Sequence, residues 1–214
     1  MLTRRRTFLA AIGTGLAALL PSDRLALASS EGARPAARPL PQQISQRVTL
    51  DLNRPADQQQ VQGVWRVGPG LVPGQPNQGL VAEMQSTPAR LADYDDSAWE
   101  ICPDIRERRS VGFTFAWYRM ALVIPEQVDG VAVTGFRVWF ESNVDNYGEI
   151  WIDGDIDRRA GAIAGINTQQ RVAVGNRAVP GERHVIACLA INGPLAQPGG
   201  NIFIRYATLA FEGG

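Results

Sequence analysis

The side chains able to do chemistry in this 214-residue sequence are few, and most fall in turn-like stretches. Its one histidine is His184, its two cysteines are Cys102 and Cys188, and its aspartates include Asp95, Asp96, Asp104, Asp145, Asp153, Asp155 and Asp157. Hydrolysis of a glycosidic bond with retention needs an acid/base and a nucleophile about 5 Å apart across a cleft. Aspartates scattered through turns more often cap backbone N–H groups in water, so no catalytic pair is expected. No serine sits in a nucleophile-elbow context, and His184 in "GERHVIA" reads as a strand-end surface residue. The sequence has no phosphate loop, dinucleotide fingerprint or zinc spacing. A non-catalytic protein is the expectation.

The densest group of sugar-compatible side chains is "ESNVDNYGE", residues 141–149, read as a surface loop. Glu141, Asn143, Asp145 and Asn146 offer acceptors and donors for hydroxyls, and Tyr147 offers a ring for the C–H face of a sugar. A carbohydrate or glycan is therefore one expected partner. The competing reading is a solvated connection whose Asn and Asp residues only satisfy turn geometry. No cofactor is expected. A calcium ion could bind clustered aspartates and carbonyls at a sheet edge, but "DGDIDRR" is too short and too arginine-rich to constitute that site. For Cys102 and Cys188 two states stay open: a disulfide, or two separate buried thiols acting as small hydrophobes.

The elements that must position these groups read as strands. "RVTLDL", "VQGVWRV", "FTFAWYRMALVI", "GFRVWFE", "EIWI", "QRVAV", "HVIACLAI" and "NIFIRYATLAF" are short and rich in aromatic and β-branched residues. Gly, Pro, Asn and Asp turns separate them, and "GPGLVPGQPNQG" reads as a long surface loop. Asp153-Gly154 has the composition of a tight hairpin turn. Period-2 alternation places Trp117 and Arg119 on one strand face and Tyr118, Met120 and Leu122 on the other. It likewise separates Trp151 from Ile150 and Ile152. Trp99, Tyr118 and Trp139 are expected to pack as core or inter-sheet aromatics. The pattern predicts an all-β fold, a β-sandwich or jelly roll, over residues 46–214.

Ahead of the sandwich, Arg4-Arg5-Arg6-Thr7-Phe8-Leu9 precedes "AAIGTGLAALL" and the small-residue site Ala26-Leu27-Ala28. Residues 1–28 thus read as an export signal of twin-arginine type, and 29–45 as a Pro/Ala/Ser-rich flexible linker. The expected location is periplasmic or secreted, with no membrane span after signal cleavage. With 21 basic and 21 acidic residues the net charge is zero, and no nucleic-acid partner is expected. A chain exported folded cannot depend on a disulfide for its fold.

The order of five motifs is similar to that in the N-terminal sugar-binding domain of family 2 glycoside hydrolases. They are Asp95-Asp96-Ser97-x-Trp99; Trp117-Tyr118-Arg119; "FRVWFESNVDNYGEIWIDG"; "VPGERHVIACLAIN"; and Gly199-Gly200 before a last strand. The resemblance covers roughly residues 90–211 and implies a galactose-binding-like jelly roll. In that family the catalytic carboxylates lie in a separate barrel. It also implies that Glu141 matches an acidic residue able to reach toward substrate, as Glu in place of the usual Asp. Two functions follow as expectations. One is an exported non-catalytic carbohydrate-binding module. The other is a protein-interaction or scaffold module for an envelope partner, including an accessory role for a glycoside hydrolase.

Overall fold

A computed structural model describes residues 46–70, 88–108, 110–111, 114–192 and 201–214. The expected signal at 1–28 and linker at 29–45 lie outside the described residues, as do most of the Gly/Pro-rich loop and the turn after Asn192. Thirteen strands are described: β1 (Arg47–Asp51), β2 (Arg66–Pro69), β3 (Glu100–Ile101), β4 (Ser110–Val111), β5 (Thr114–Val123), β6 (Gln127–Val128) and β7 (Val131–Ala132) come first. They are followed by β8 (Arg137–Asp145), β9 (Tyr147–Ile152), β10 (Ile163–Ala164), β11 (Gln169–Gly175), β12 (Arg183–Asn192) and β13 (Asn201–Glu212). One sheet runs β1-β13-β8-β11, with β4 pairing the far end of β13. The other runs β10-β9-β12-β5-β2-β3, and β6-β7 form a small hairpin. All pairings are antiparallel, and the molecule is a β-sandwich of jelly-roll type.

The alternation along the strands decides what each face buries. Leu50, Trp65, Tyr118, Met120, Leu122, Phe140, Ile150, Ile186, Leu209 and Phe211 meet in the core between the sheets. Burying side chains of this kind stabilises the fold by roughly 1.5–3 kcal/mol each. The opposite face of the six-stranded sheet carries a second cluster of Phe115, Trp117, Trp151 and Leu189. Ala89, Tyr94 and Trp99 cover that cluster from the segment 88–99, which begins as a 3₁₀ turn at Pro88–Arg90. The Trp99 indole lies on Gly68 so closely that a Cβ there would sit 2.3 Å from the ring.

One arginine explains why the "DDSAW" turn and the "WYR" strand belong together. Arg119 is 2% exposed on the outer face of β5. Its Nε donates to Asp96 Oδ2 at 2.9 Å, while Nη1 donates to the carbonyls of Ala89 and Leu91 and Nη2 to that of Tyr94. The rigid five-donor fork of arginine suits such a divergent set of acceptors. Asp95 shapes the next turn by accepting from Ser97 N at 2.9 Å, and hydrogen bonding to the Ser97 side chain, then to its backbone, lowers the Asp95 pKa.

Three sequence expectations are corrected, and the alternative left open for the cysteines is decided. First, "VQGVWRV" becomes strand only from Arg66, because α1 (Pro55–Gln60) precedes it. Proline suits the first helical position, where no intrahelical N–H is needed. The Gln58 amide then anchors the helix to the carbonyls of Leu52 and Pro103 at 2.8 and 2.7 Å. Second, Cys102 and Cys188 are both free and buried in the inter-sheet core. The Cys102 Sγ donates to Asp104 O at 3.4 Å. Burial, with Glu100 adding to it, raises Cys102 to about 11, and burial alone raises Cys188. Third, His184 is 8% exposed rather than a surface residue: its Nδ1 lies 2.7 Å from Asp153 Oδ2. Fourth, Trp139 faces outward from β8 instead of entering the inter-sheet core, with the Arg171 guanidinium 4.2 Å above its ring.

The Asp153-Gly154 hairpin forms as expected. Both residues have positive φ, 51° and 89°, and Ile152 and Asp155 exchange backbone hydrogen bonds of 2.9 Å. That is the dihedral signature favoured by two-residue hairpins.

Candidate functional site

The stretch 141–149 is not a loop. β8 continues to Asp145 in the five-stranded sheet and β9 begins at Tyr147 in the other, so Asn146 alone carries the chain across. The Asp145–Asn146 peptide is cis. Asn146 Nδ2 donates to Asn192 Oδ1 at 2.6 Å, tying the crossing to the end of β12.

This crossing divides the five residues singled out in the sequence. Glu141, Asn143 and Asp145 alternate with the core residues Phe140 and Val144 and therefore line the outer face of the five-stranded sheet. Tyr147 lies instead on the outer face of the six-stranded sheet. There its hydroxyl donates to Glu149 Oε1 at 2.8 Å, and Trp151 Nε1 donates to Glu149 Oε2 at 3.3 Å. Glu149 is 1% exposed. Burial, then the hydrogen bond to Glu149, raises the Tyr147 phenol. Glu149 was not singled out in the sequence, although its alternation with Trp151 in "EIWI" carried the signal.

Around the three residues on β8 the ladder assembles a polar surface. On β13, Tyr206 stands opposite Asn143, Thr208 opposite Glu141 and Ala210 opposite Trp139. On β11, Gln169 stands opposite Asn143 and Arg171 opposite Glu141. The register shifts between Ile204 and Tyr206, so Arg205 is an extra residue in β13. A bulge of this sort bends the strand and re-aims a side chain. Arg205 Nη2 lies 3.4 Å from Asp145 Oδ2. Sequence alternation placed Tyr206 on a strand but could not supply this bulge.

The charges on this face are cross-linked. Glu141 binds Arg47 at 2.6 Å and Arg171 at 3.0 Å, and Glu212 binds the same two arginines at 2.9 and 2.6 Å. The hydrogen bond from Arg171 lowers the pKa of Glu212. Burial raises the Tyr206 phenol, and the charge of Glu141 adds to the shift.

Two polar atoms on the same row lack partners. Asn143 is 7% exposed, and its Oδ1 is buried without a hydrogen-bond partner; so is Nε1 of Trp139. Buried polar groups in folded proteins are nearly always satisfied. An acceptor and a donor are thus left over on one sheet face.

Among the described residues, no three His, Cys, Asp or Glu side chains converge as metal ligands. No helix among them is long and apolar enough to cross a membrane.

No family model and no curated protein matches the sequence. Solved structures do match the fold. Bacteroides uniformis β-glucuronidase 2, covalently bound to cyclophellitol-6-carboxylate aziridine, superposes with a TM-score of 0.51 and 16% identity over 78% of this chain and 18% of that one. A glycosyl hydrolase family 2 member from Bacteroides cellulosilyticus gives a TM-score of 0.50 and 15% identity over 77% of this chain and 20% of that one. The chain thus spans about a fifth of the length of each enzyme. At these identities the likeness is one of fold: the chain has a β-sandwich found within these family 2 glycoside hydrolases.

Proposed function

We propose that the protein is an exported, non-catalytic carbohydrate-binding module of the family 2 sugar-binding type, acting in the periplasm or outside the cell. The ligand contacts the outer face of the five-stranded sheet beside the β13 bulge. The observation that carries this reading is the buried, unpartnered Oδ1 of Asn143. It lies opposite Tyr206 and in one row with Glu141 and Asp145. An unsatisfied buried acceptor costs about 1–3 kcal/mol, and a sugar hydroxyl donating to it would remove that cost. Tyr206 contributes an aromatic ring, and Glu141, Asp145 and Arg205 contribute polar edges. Asn146 and Tyr147 fall outside this contact surface; Asn146 supports it by holding the strand crossing.

The non-catalytic reading is supported by the state of the carboxylates. Glu141 and Glu212 are each bound by two arginines, Asp96 by Arg119, Asp104 by Arg106 and Asp153 by His184 and Val185 N. A glycosidase needs two carboxyl groups facing an open cleft, one free to donate a proton.

A glycan array with the purified protein, repeated with chelator, tests the proposal. Binding to a discrete set of glycans is expected, and Asn143→Ala and Tyr206→Ala should abolish it while leaving the melting temperature within a few degrees of wild type. A blank array on folded protein refutes it.

The second reading is an interaction module for an envelope protein. It is favoured by exposed Ile101, Ile166 and Val179. It expects stoichiometric co-purification of one partner, reduced by Ile166→Asp.

A further inference from the structure

We infer that the ligand is an extended, uncharged glycan chain laid along β8, not a single sugar; the inference rests on the carbohydrate-binding reading and defines the ligand class. The unpartnered acceptor of Asn143 and the unpartnered donor of Trp139 Nε1 lie four residues apart on the same outward row. Alternate residues on one strand face are roughly 7 Å apart, so the row from Trp139 through Glu141 and Asn143 to Asp145 extends over roughly 20 Å. That is several times the width of one pyranose ring. A monosaccharide at the bulge could satisfy Asn143 but could not also reach Trp139.

The cross-strand neighbours are small beside Trp139 and polar beside Glu141 and Asn143. Ala210 and Ala173 flank Trp139 on β13 and β11, and the one large side chain over its ring is that of Arg171 on β11. The Arg171 guanidinium above the ring is fixed by Glu141 and Glu212, and it leaves the indole only partly buried. Further along, Thr208, Tyr206 and Gln169 add hydroxyl and amide groups beside Glu141 and Asn143.

The charges decide the class of chain. Arg47 and Arg171 are matched by Glu141 and Glu212, and Arg205 is matched by Asp145. A polyanion would have to break these pairs, whereas a neutral polyhydroxyl chain can accept from the arginine N–H groups and donate to the carboxylates with the pairs intact. Recognition by matched dipoles is weakly dependent on salt, unlike attraction between net charges.

Calorimetry with oligomers of one to six units tests this, using β-1,4-linked glucose, xylose and N-acetylglucosamine and a uronate series, at low salt and in 0.5 M NaCl as about the screened limit. Affinity should rise about tenfold or more between one and four units of a neutral series and then level off, as expected for several added hydrogen bonds. Salt should change it by less than about twofold. Trp139→Phe retains an aromatic ring and removes the donor; it should weaken the tetramer about three- to tenfold and leave the monomer unchanged. Asn143→Ala should weaken both, and melting curves confirm that each variant is folded. Equal affinity for one and six units, with Trp139→Phe without effect, overturns the extended site while leaving the carbohydrate reading in place. Preference for the uronate series with strong salt dependence overturns the neutral class. No binding to any oligomer by folded protein overturns both readings.

Discussion

Arg119 is the residue on which the packing of segment 88–99 depends, and its replacement has a calculable consequence. Arg119→Met retains the apolar stem but removes four hydrogen bonds: one to Asp96 and three to the carbonyls of Ala89, Leu91 and Tyr94. Removing one partner of a buried ion pair costs about 3–5 kcal/mol. The three carbonyls could add more, but the segment can lift and let water reach them, so the loss should stay near that range. For a domain of this size, 1 kcal/mol corresponds to about 2–4 °C in melting temperature, so a fall of about 6–20 °C is expected. Arg119→Lys should recover less than half of it, because one ammonium cannot span acceptors arranged around a planar fork. A double-mutant cycle with Asp96→Asn should show coupling of about 1–3 kcal/mol. Limited trypsin digestion reports on the segment directly, since Arg90 lies within it. Cleavage after Arg90 should accelerate in Arg119→Met well below the melting temperature. The reasoning fails if Arg119→Lys melts with the wild type and Arg90 stays protected in both variants.

Three further outcomes follow from single observations. Gly154→Ala puts a Cβ at φ 89° in the β9 hairpin, where left-handed backbone costs an L-residue roughly 1–2 kcal/mol, measurable as a lower urea midpoint with an unchanged slope. Glu212 has its folded-state pKa lowered by Arg171. Its contribution is therefore fully present above the ordinary glutamate pKa of about 4.3 and is lost as pH falls through the lower folded value. Wild type should exceed Glu212→Gln in melting temperature at pH 7, and the gap should close in acid; a gap that widens toward pH 3, about one unit below the ordinary value, would show the wrong sign. Both cysteines are buried thiols with raised pKa values. A thiol-reactive dye should label neither in the native protein and both after unfolding, and a single native label would contradict their burial.

The strands were legible because their alternation is strong. "FTFAWYRMALVI" separates Tyr118, Met120 and Leu122, which enter the inter-sheet core, from Trp117, which enters the outer cluster, and Arg119 on the same face, as the period-2 rule requires. The Asp153-Gly154 turn was legible because its two residue types tolerate positive φ. What could not be read was anything set by pairing between distant strands. "ESNVDNYGE" has loop-like composition, yet the sheets capture all but Asn146, since β13 and β11 pair with one half and β12 with the other. Trp139 looks like a core residue by type. Its register puts it on the opposite side from Phe140, and Arg171, thirty-two residues away, supplies its partner. His184 looked exposed because the Asp153 that pairs with it lies in another hairpin.

The two outer faces of the sandwich have opposite fates, and this bears on where a ligand can bind. On the six-stranded sheet, Phe115, Trp117, Trp151 and Leu189 form an apolar surface that segment 88–99 covers, held there by Arg119. Those aromatic residues are therefore committed to packing, and Tyr147 beside them, the ring the sequence offered to a sugar, donates its hydroxyl to Glu149. On the five-stranded sheet no apolar cluster forms outside the inter-sheet core among the described residues. That face is built from matched ion pairs, one bulge and two unpartnered polar atoms. A lectin-like face needs hydrogen-bonding groups held rigid by their neighbours, because freezing mobile side chains on binding costs roughly 0.5–1.5 kcal/mol each. The Arg47–Glu141–Arg171–Glu212 network cross-links four such groups. Under the proposed carbohydrate-binding function, the "DDSAW" turn would act indirectly: by closing the aromatic face, it leaves the polar face of β8, β11 and β13 for a hydroxyl-rich ligand.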